Sequence, residues 1–261
     1  GGRVYFPAGK YLSRTIFLKD NCVLRLESGA ELLASLDYRT YGHPDRKPLW
    51  FSGSGNPMWT QYWAFIIAVK AMGVGIEGNG VINGRGKYKA NFPNPEDPEK
   101  RRPFLVIFDR CKDCFLHDIT LKDPACYNFL GFDVRNMQIR GVKVLSRESG
   151  NGDGLDFDGG RDVTISDCYV DAGDDAISLK TTKKGEICER FAISNCILKS
   201  CWAAIRFGTE STDTMRDITV SGCVFENCRD GLKIQSCGGA LYENMVFSSI
   251  TMRNVIRPFF I

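Results

Sequence analysis

Three aspartates stand immediately before two short apolar strands: Asp153 in Asn151-Gly152-Asp153-Gly154, and the pair in Gly173-Asp174-Asp175-Ala176. If those strands lie side by side and parallel, the carboxylates meet at one end of them. Crowded carboxylates repel, so at least one should hold a proton near neutral pH. One protonated carboxyl to donate to a leaving oxygen, with ionised ones to activate water, is what glycoside hydrolysis requires. The same residues have a plainer reading. Asp, Asn and Gly are ordinary turn formers, and Asp-rich turns also bind Ca²⁺.

The elements that must position these acids are legible as a repeat. Val163-Thr-Ile-Ser-Asp-Cys168, Phe191-Ala-Ile-Ser-Asn-Cys196 and Ile218-Thr-Val-Ser-Gly-Cys223 share one pattern, with cysteines 28 and 27 residues apart. Ile250 continues the register forwards, and Val142 and Ile119 continue it backwards. A second column runs through Gly154-Leu-Asp-Phe157, Ala176-Ile-Ser-Leu179, Ala204-Ile-Arg-Phe207 and Gly231-Leu-Lys-Ile234. Each period holds short alternating strands between Gly, Asn and Asp turns, and helical periodicity is nearly absent. Such a period means a solenoid whose repeats bury their apolar faces only against their neighbours. The fold class expected is all-β, a single-stranded right-handed parallel β-helix, with Cys168, Cys196 and Cys223 stacked as packing rather than as disulfides.

Alternation then assigns faces. Leu155, Phe157, Ile177, Leu179, Ile205, Phe207, Leu232 and Ile234 point inward. Asp156, Ser178, Arg206 and Lys233 form one solvent-facing row, and Asp158, Lys180, Gly208 and Gln235 the next. On charge alone this is a solvated sheet face; the acids beside it make it a candidate groove.

Composition bounds the rest. The 261 residues read as one domain, 1–261, with no break in composition. The net charge of +3, with Lys and Arg scattered, excludes a nucleic-acid stripe. No apolar run approaches a membrane span. Cys111 and Cys114 form a C-x-x-C without a second pair, so no metal site is expected. The chain opens on a strand and ends as abruptly, so both ends read as cuts through a longer chain. The segments 41–63 and 88–102, rich in Pro, Gly and aromatics, read as loops over the solenoid.

Val4-Tyr-Phe-Pro-Ala-Gly9, Ile76-Glu-Gly-Asn-Gly-Val-Ile-Asn-Gly84, Arg102-Pro103, Asn151-Gly152-Asp153 and Gly173-Asp174-Asp175 together resemble glycoside hydrolase family 28, the polygalacturonase family. The resemblance implies a right-handed β-helix and inverting hydrolysis of an acidic, pectin-like polysaccharide. It assigns Asp174 as general acid, and Asp153 with Asp175 as the pair that activates water. Inversion implies a carboxylate separation of ~6.5–9.5 Å. It further implies a secreted or periplasmic monomer that needs no cofactor. Two motifs depart from the family. Its Gly-His-Gly falls at Trp202-Ala203-Ala204, and its Arg-Ile-Lys reads Lys233-Ile234-Gln235. The candidate substrate-binding residues are therefore Asn151, Lys180, Trp202, Arg206, Lys233 and Gln235, with Arg206 and Lys233 favouring an acidic sugar. Two alternatives share the solenoid: a non-catalytic glycan-binding module, and a polysaccharide lyase using Arg206 or Lys233 as base.

Overall fold

The computed structural model describes residues 1–41, 63–86 and 102–261. The expected loops 41–63 and 88–102 lie, apart from residues 41, 63 and 102, outside the described residues. Three parallel ladders wind around one core. The first runs from Gly2–Phe6 through Cys22–Leu26, Gly75–Glu77 and Lys112–His117 down to Cys188–Ser194, Met215–Ser221 and Tyr242–Ser248. The second joins Gly9–Ser13, Ala30–Ala34 and Val81–Asn83 to Tyr169–Ala172 and Ile197–Ser200. The third carries Ile16–Leu18, Ala64–Val69, Phe104–Asp109, the starts of Phe129–Arg140 and Leu155–Ser166, then Ile177–Thr181 and Ala203–Ser211. Every pairing is parallel, as the repeat requires.

The turns repeat because one backbone conformation does. Asp118, Asp167, Asn195 and Ser249 have φ of 59, 58, 54 and 53°, and Gly141 and Gly222 fill the same corner on intervening coils at 65 and 64°. Asn, Asp and Gly tolerate this left-handed region, which is why they punctuate the sequence at coil intervals.

Inside, Phe108, Phe129, Phe157 and Phe191 stack in order, with ring centroids 5.6, 5.7 and 5.3 Å apart. Their edge-to-face and tilted packing follows the ring quadrupole. Ile119, Val142, Cys168, Cys196 and Cys223 are buried in one column, and the three thiols interact in series. All eleven cysteines are free.

The outward rows differ from expectation. The residues do point out of the coil, but Asp156, Ser178, Asp158, Lys180 and Lys233 are buried, and only Arg206 and Gln235 are half-buried. They are covered because they partner one another across coils: Lys180 with Asp156, Thr182 with Asp158, Arg206 with Gln235. Towards the N-terminus the same outer column is apolar. Ile67, Ile107 and Leu130 align with Asp156, Ser178, Arg206 and Lys233. The first three are buried with Phe104, Tyr127 and Phe132 in a second hydrophobic cluster. One face of the third ladder thus changes from apolar to ionic at the coil that carries Asp153.

Candidate active site

Leu155 pairs with Ile177, so Asp153 and Asp175 stand opposite each other two residues upstream, with Asp174 one residue further out. The approach is close because glycines allow it. A Cβ on Gly173 would meet the Ser149 carbonyl oxygen at 2.0 Å, and one on Gly154 the Ala176 carbonyl oxygen at 2.3 Å. One oxygen from each of Asp153, Asp174 and Asp175 lies within 4.8 Å of the others. Taken oxygen to oxygen, the trio is tighter than the ~6.5–9.5 Å between carboxyl groups expected for inversion. The cause is topological: acids at equivalent points of adjacent strands inherit the inter-strand spacing of ~4.8 Å. The same three oxygens are close enough to share a cation.

The three carboxyls have different surroundings. Asp175 is buried and accepts the Ala203 backbone N–H at 3.0 Å and the Arg206 guanidinium at 2.8 Å, the latter a charge-assisted bond. Asp153 is also buried, and its Oδ1 has no hydrogen-bond partner among the described residues. Burial first, and then the charge of Asp156, push its carboxyl well above the ordinary range. Asp174 is half-buried. Burial and the adjacent Asp175 raise it to about 6, against the opposing charges of Lys180 and Arg206. In Asp153 and Asp174 alike, desolvation comes ahead of repulsion from neighbouring carboxylates as the cause.

Behind Asp153 lies an ionic cluster. Lys180 Nζ donates to Asp156 Oδ2 at 2.7 Å and to the Tyr127 hydroxyl at 3.0 Å. Asn128 Nδ2 holds the Asp153 carbonyl at 2.8 Å and the Ser146 hydroxyl at 2.8 Å. Asp156, Tyr127 and Asn128 were not among the sequence candidates. Their signal is weak, because Tyr127 and Asn128 precede a strand whose outward residues are apolar.

The candidate binding residues divide. Arg206 borders the acids, but its guanidinium is occupied by Asp175, Gln235 Oε1 at 3.0 Å and the Thr209 hydroxyl. Gln235 is thereby tied to Arg206. Asn151 accepts Arg102 at 2.6 Å. Lys180 is buried against Asp156, and Lys233 Nζ lies 3.6 Å from Asp230. Trp202, 38% exposed, is the candidate most open to solvent. Beneath it, Arg229 places its guanidinium carbon 4.3 Å from the indole centroid. Sequence reading missed Arg229, although it lies 27 residues after Trp202, one coil on.

Three crowded carboxyls at one edge of a parallel β-helix sheet, two of them with raised proton affinity, mark a candidate active site. The profile of glycosyl hydrolases family 28 matches residues 53–261, and the chain belongs to that family. A probable polygalacturonase of Vitis vinifera is 27% identical over 98% of this chain and 54% of its own length. The chain spans about half the length of the curated relatives it matches. Among solved structures, the family 28 exopolygalacturonase of Yersinia enterocolitica superposes with a TM-score of 0.80 at 18% identity, covering 98% of this chain and 61% of that one. The polygalacturonase of Erwinia carotovora ssp. carotovora gives 0.80 at 20% identity, over 98% and 71%. These superpositions identify the fold as the right-handed parallel β-helix of those enzymes.

Proposed function

We propose that this protein hydrolyses glycosidic bonds of a galacturonide-containing, pectin-like polysaccharide or oligosaccharide, with Asp174 as proton donor and Asp153 and Asp175 holding the attacking water. The observation that carries the reading is the contrast within the trio: Asp175 buried and held by Arg206 and the Ala203 amide, Asp153 buried with an unpartnered oxygen, and Asp174 the least buried of the three. A donor must reach the glycosidic oxygen in the groove, which favours Asp174 over the buried Asp153. The productive arrangement has the proton on Asp174 with Asp153 ionised. Water polarised by Asp153 and Asp175 attacks the anomeric carbon as the leaving oxygen takes the proton from Asp174. Membership of family 28 and the likeness to polygalacturonases support the substrate class. A pectic substrate also implies action outside the cytoplasm, secreted or periplasmic.

The lyase alternative is weakened by its own candidate bases. Arg206 is paired with Asp175 and Lys233 is buried beside Asp230, so neither is available to abstract a proton. Oxygens within 4.8 Å are also compatible with one variant, in which a carboxylate attacks directly and configuration is retained. Product analysis on polygalacturonate separates these readings. Saturated oligogalacturonides whose first-formed reducing end has inverted configuration are expected. An ultraviolet-absorbing unsaturated product would establish a lyase, a retained anomer would establish direct attack, and no product would leave a binding module.

A further inference from the structure

Beyond the acids, the groove holds cations of two kinds. Arg206 commits its two terminal nitrogens to Asp175, Gln235 and Thr209, and its Nε is buried. Lys233 shares Asp230 with Arg257, whose guanidinium grips both carboxylate oxygens at 2.5 and 2.9 Å. Arg229 is different. It is exposed and has no carboxylate partner among the described residues, and its guanidinium lies over the Trp202 indole.

The position of this pair is set by coil register. Ala172 pairs with Ser200 and Ile177 with Ile205, so Asp174 falls opposite Trp202. Ala203 pairs with Asp230, and the Asp230 N–H donates to the Trp202 carbonyl at 2.8 Å, so Trp202 falls opposite Arg229. Asp174, Trp202 and Arg229 therefore form one column, each a coil of ~4.8 Å from the next. The residue after Trp202, Ala203, supplies the N–H that holds Asp175. The indole also has Lys233 Nζ 5.6 Å from its centroid, which adds positive charge without filling the free edge of Arg229.

A guanidinium laid on an indole loses little freedom when it binds, and its outer N–H groups keep the fork geometry that matches a carboxylate. We infer that Trp202 and Arg229 form a carboxylate-binding subsite for a uronate residue of the glycan, beside the sugar that Asp174 protonates. The inference rests on the reading that the three aspartates cut a galacturonide. It supplies the acidic-sugar recognition that Arg206 and Lys233, being internally paired, do not.

The test is calorimetric titration of trigalacturonate into the full chain carrying Asp174→Asn, which suppresses turnover, with and without Arg229→Gln. Loss of a charge-assisted bidentate contact should weaken binding ~10-fold or more. Arg229→Lys should recover part of it, and a carboxyl-reduced trisaccharide should show no difference between the variants. Equal trigalacturonate affinity with and without Arg229→Gln would overturn the subsite, and so would failure of the parent protein to bind. Reducing-end release by the unsubstituted chain reports separately on hydrolysis. A subsite that binds in a chain releasing no product would fail only the catalytic reading.

Discussion

Asp174 and Asp175 are neighbours in sequence and opposites in surroundings. Asp175 turns towards Arg206 and the Ala203 amide, while Asp174 borders the groove with its carboxyl raised to about 6. If Asp174 must carry the proton, turnover should fall as pH rises through about 6, because deprotonation removes the donor. Arg206 opposes that elevation, so Arg206→Gln should let Asp174 keep its proton to higher pH and move the alkaline limb of the kcat profile upward. The same change strands a buried charge on Asp175, so turnover should also drop, by ~10²-fold or more. An alkaline limb that stays in place would show that Arg206 does not act on the donor. In the sequence Arg206 looked like an outward cation free for substrate. Only the fold shows that its outward direction is also the direction of Asp175.

At the scale of the element, the turn 149–154 and the turn 173–176 are packed backbone against backbone. Gly173→Ala forces a Cβ onto the Ser149 carbonyl at 2.0 Å and should cost ~1–3 kcal/mol in denaturant unfolding, the scale of overpacking. Gly150→Ala meets nothing within 4 Å and should stay within ~0.5 kcal/mol. Equal effects at the two positions would mean that the turns are not in contact. Much of this level was legible. The cysteine register announced the coils, and the Asn, Asp and Gly punctuation announced a repeated left-handed corner. The burial of Asp156, Asp158 and Lys180 was not legible, because period two tells which way a side chain points and not what covers it. Their partners come from other coils, 24 residues away or more.

At the scale of the whole molecule, no single coil carries the site. Asp153, Asp174 with Asp175, Trp202 with Arg206, and Arg229 with Lys233 come from four successive turns of the solenoid, so the candidate groove they would line runs along its axis. A linear polymer can lie in such a groove with successive sugars meeting successive coils, which is why a repeat fold suits a repeating substrate. Within that groove the central claim is that Asp174 is the proton donor. The most direct measurement compares Asp174→Asn with the unsubstituted chain on polygalacturonate and on a galacturonide with an activated aryl leaving group. The amide keeps the shape and removes the proton. Turnover of the polymer should fall ~10²–10⁴-fold, with a much smaller loss on the aryl substrate, whose leaving group needs little protonation. Near-normal turnover of the polymer, or equal losses on both substrates, would contradict the assignment.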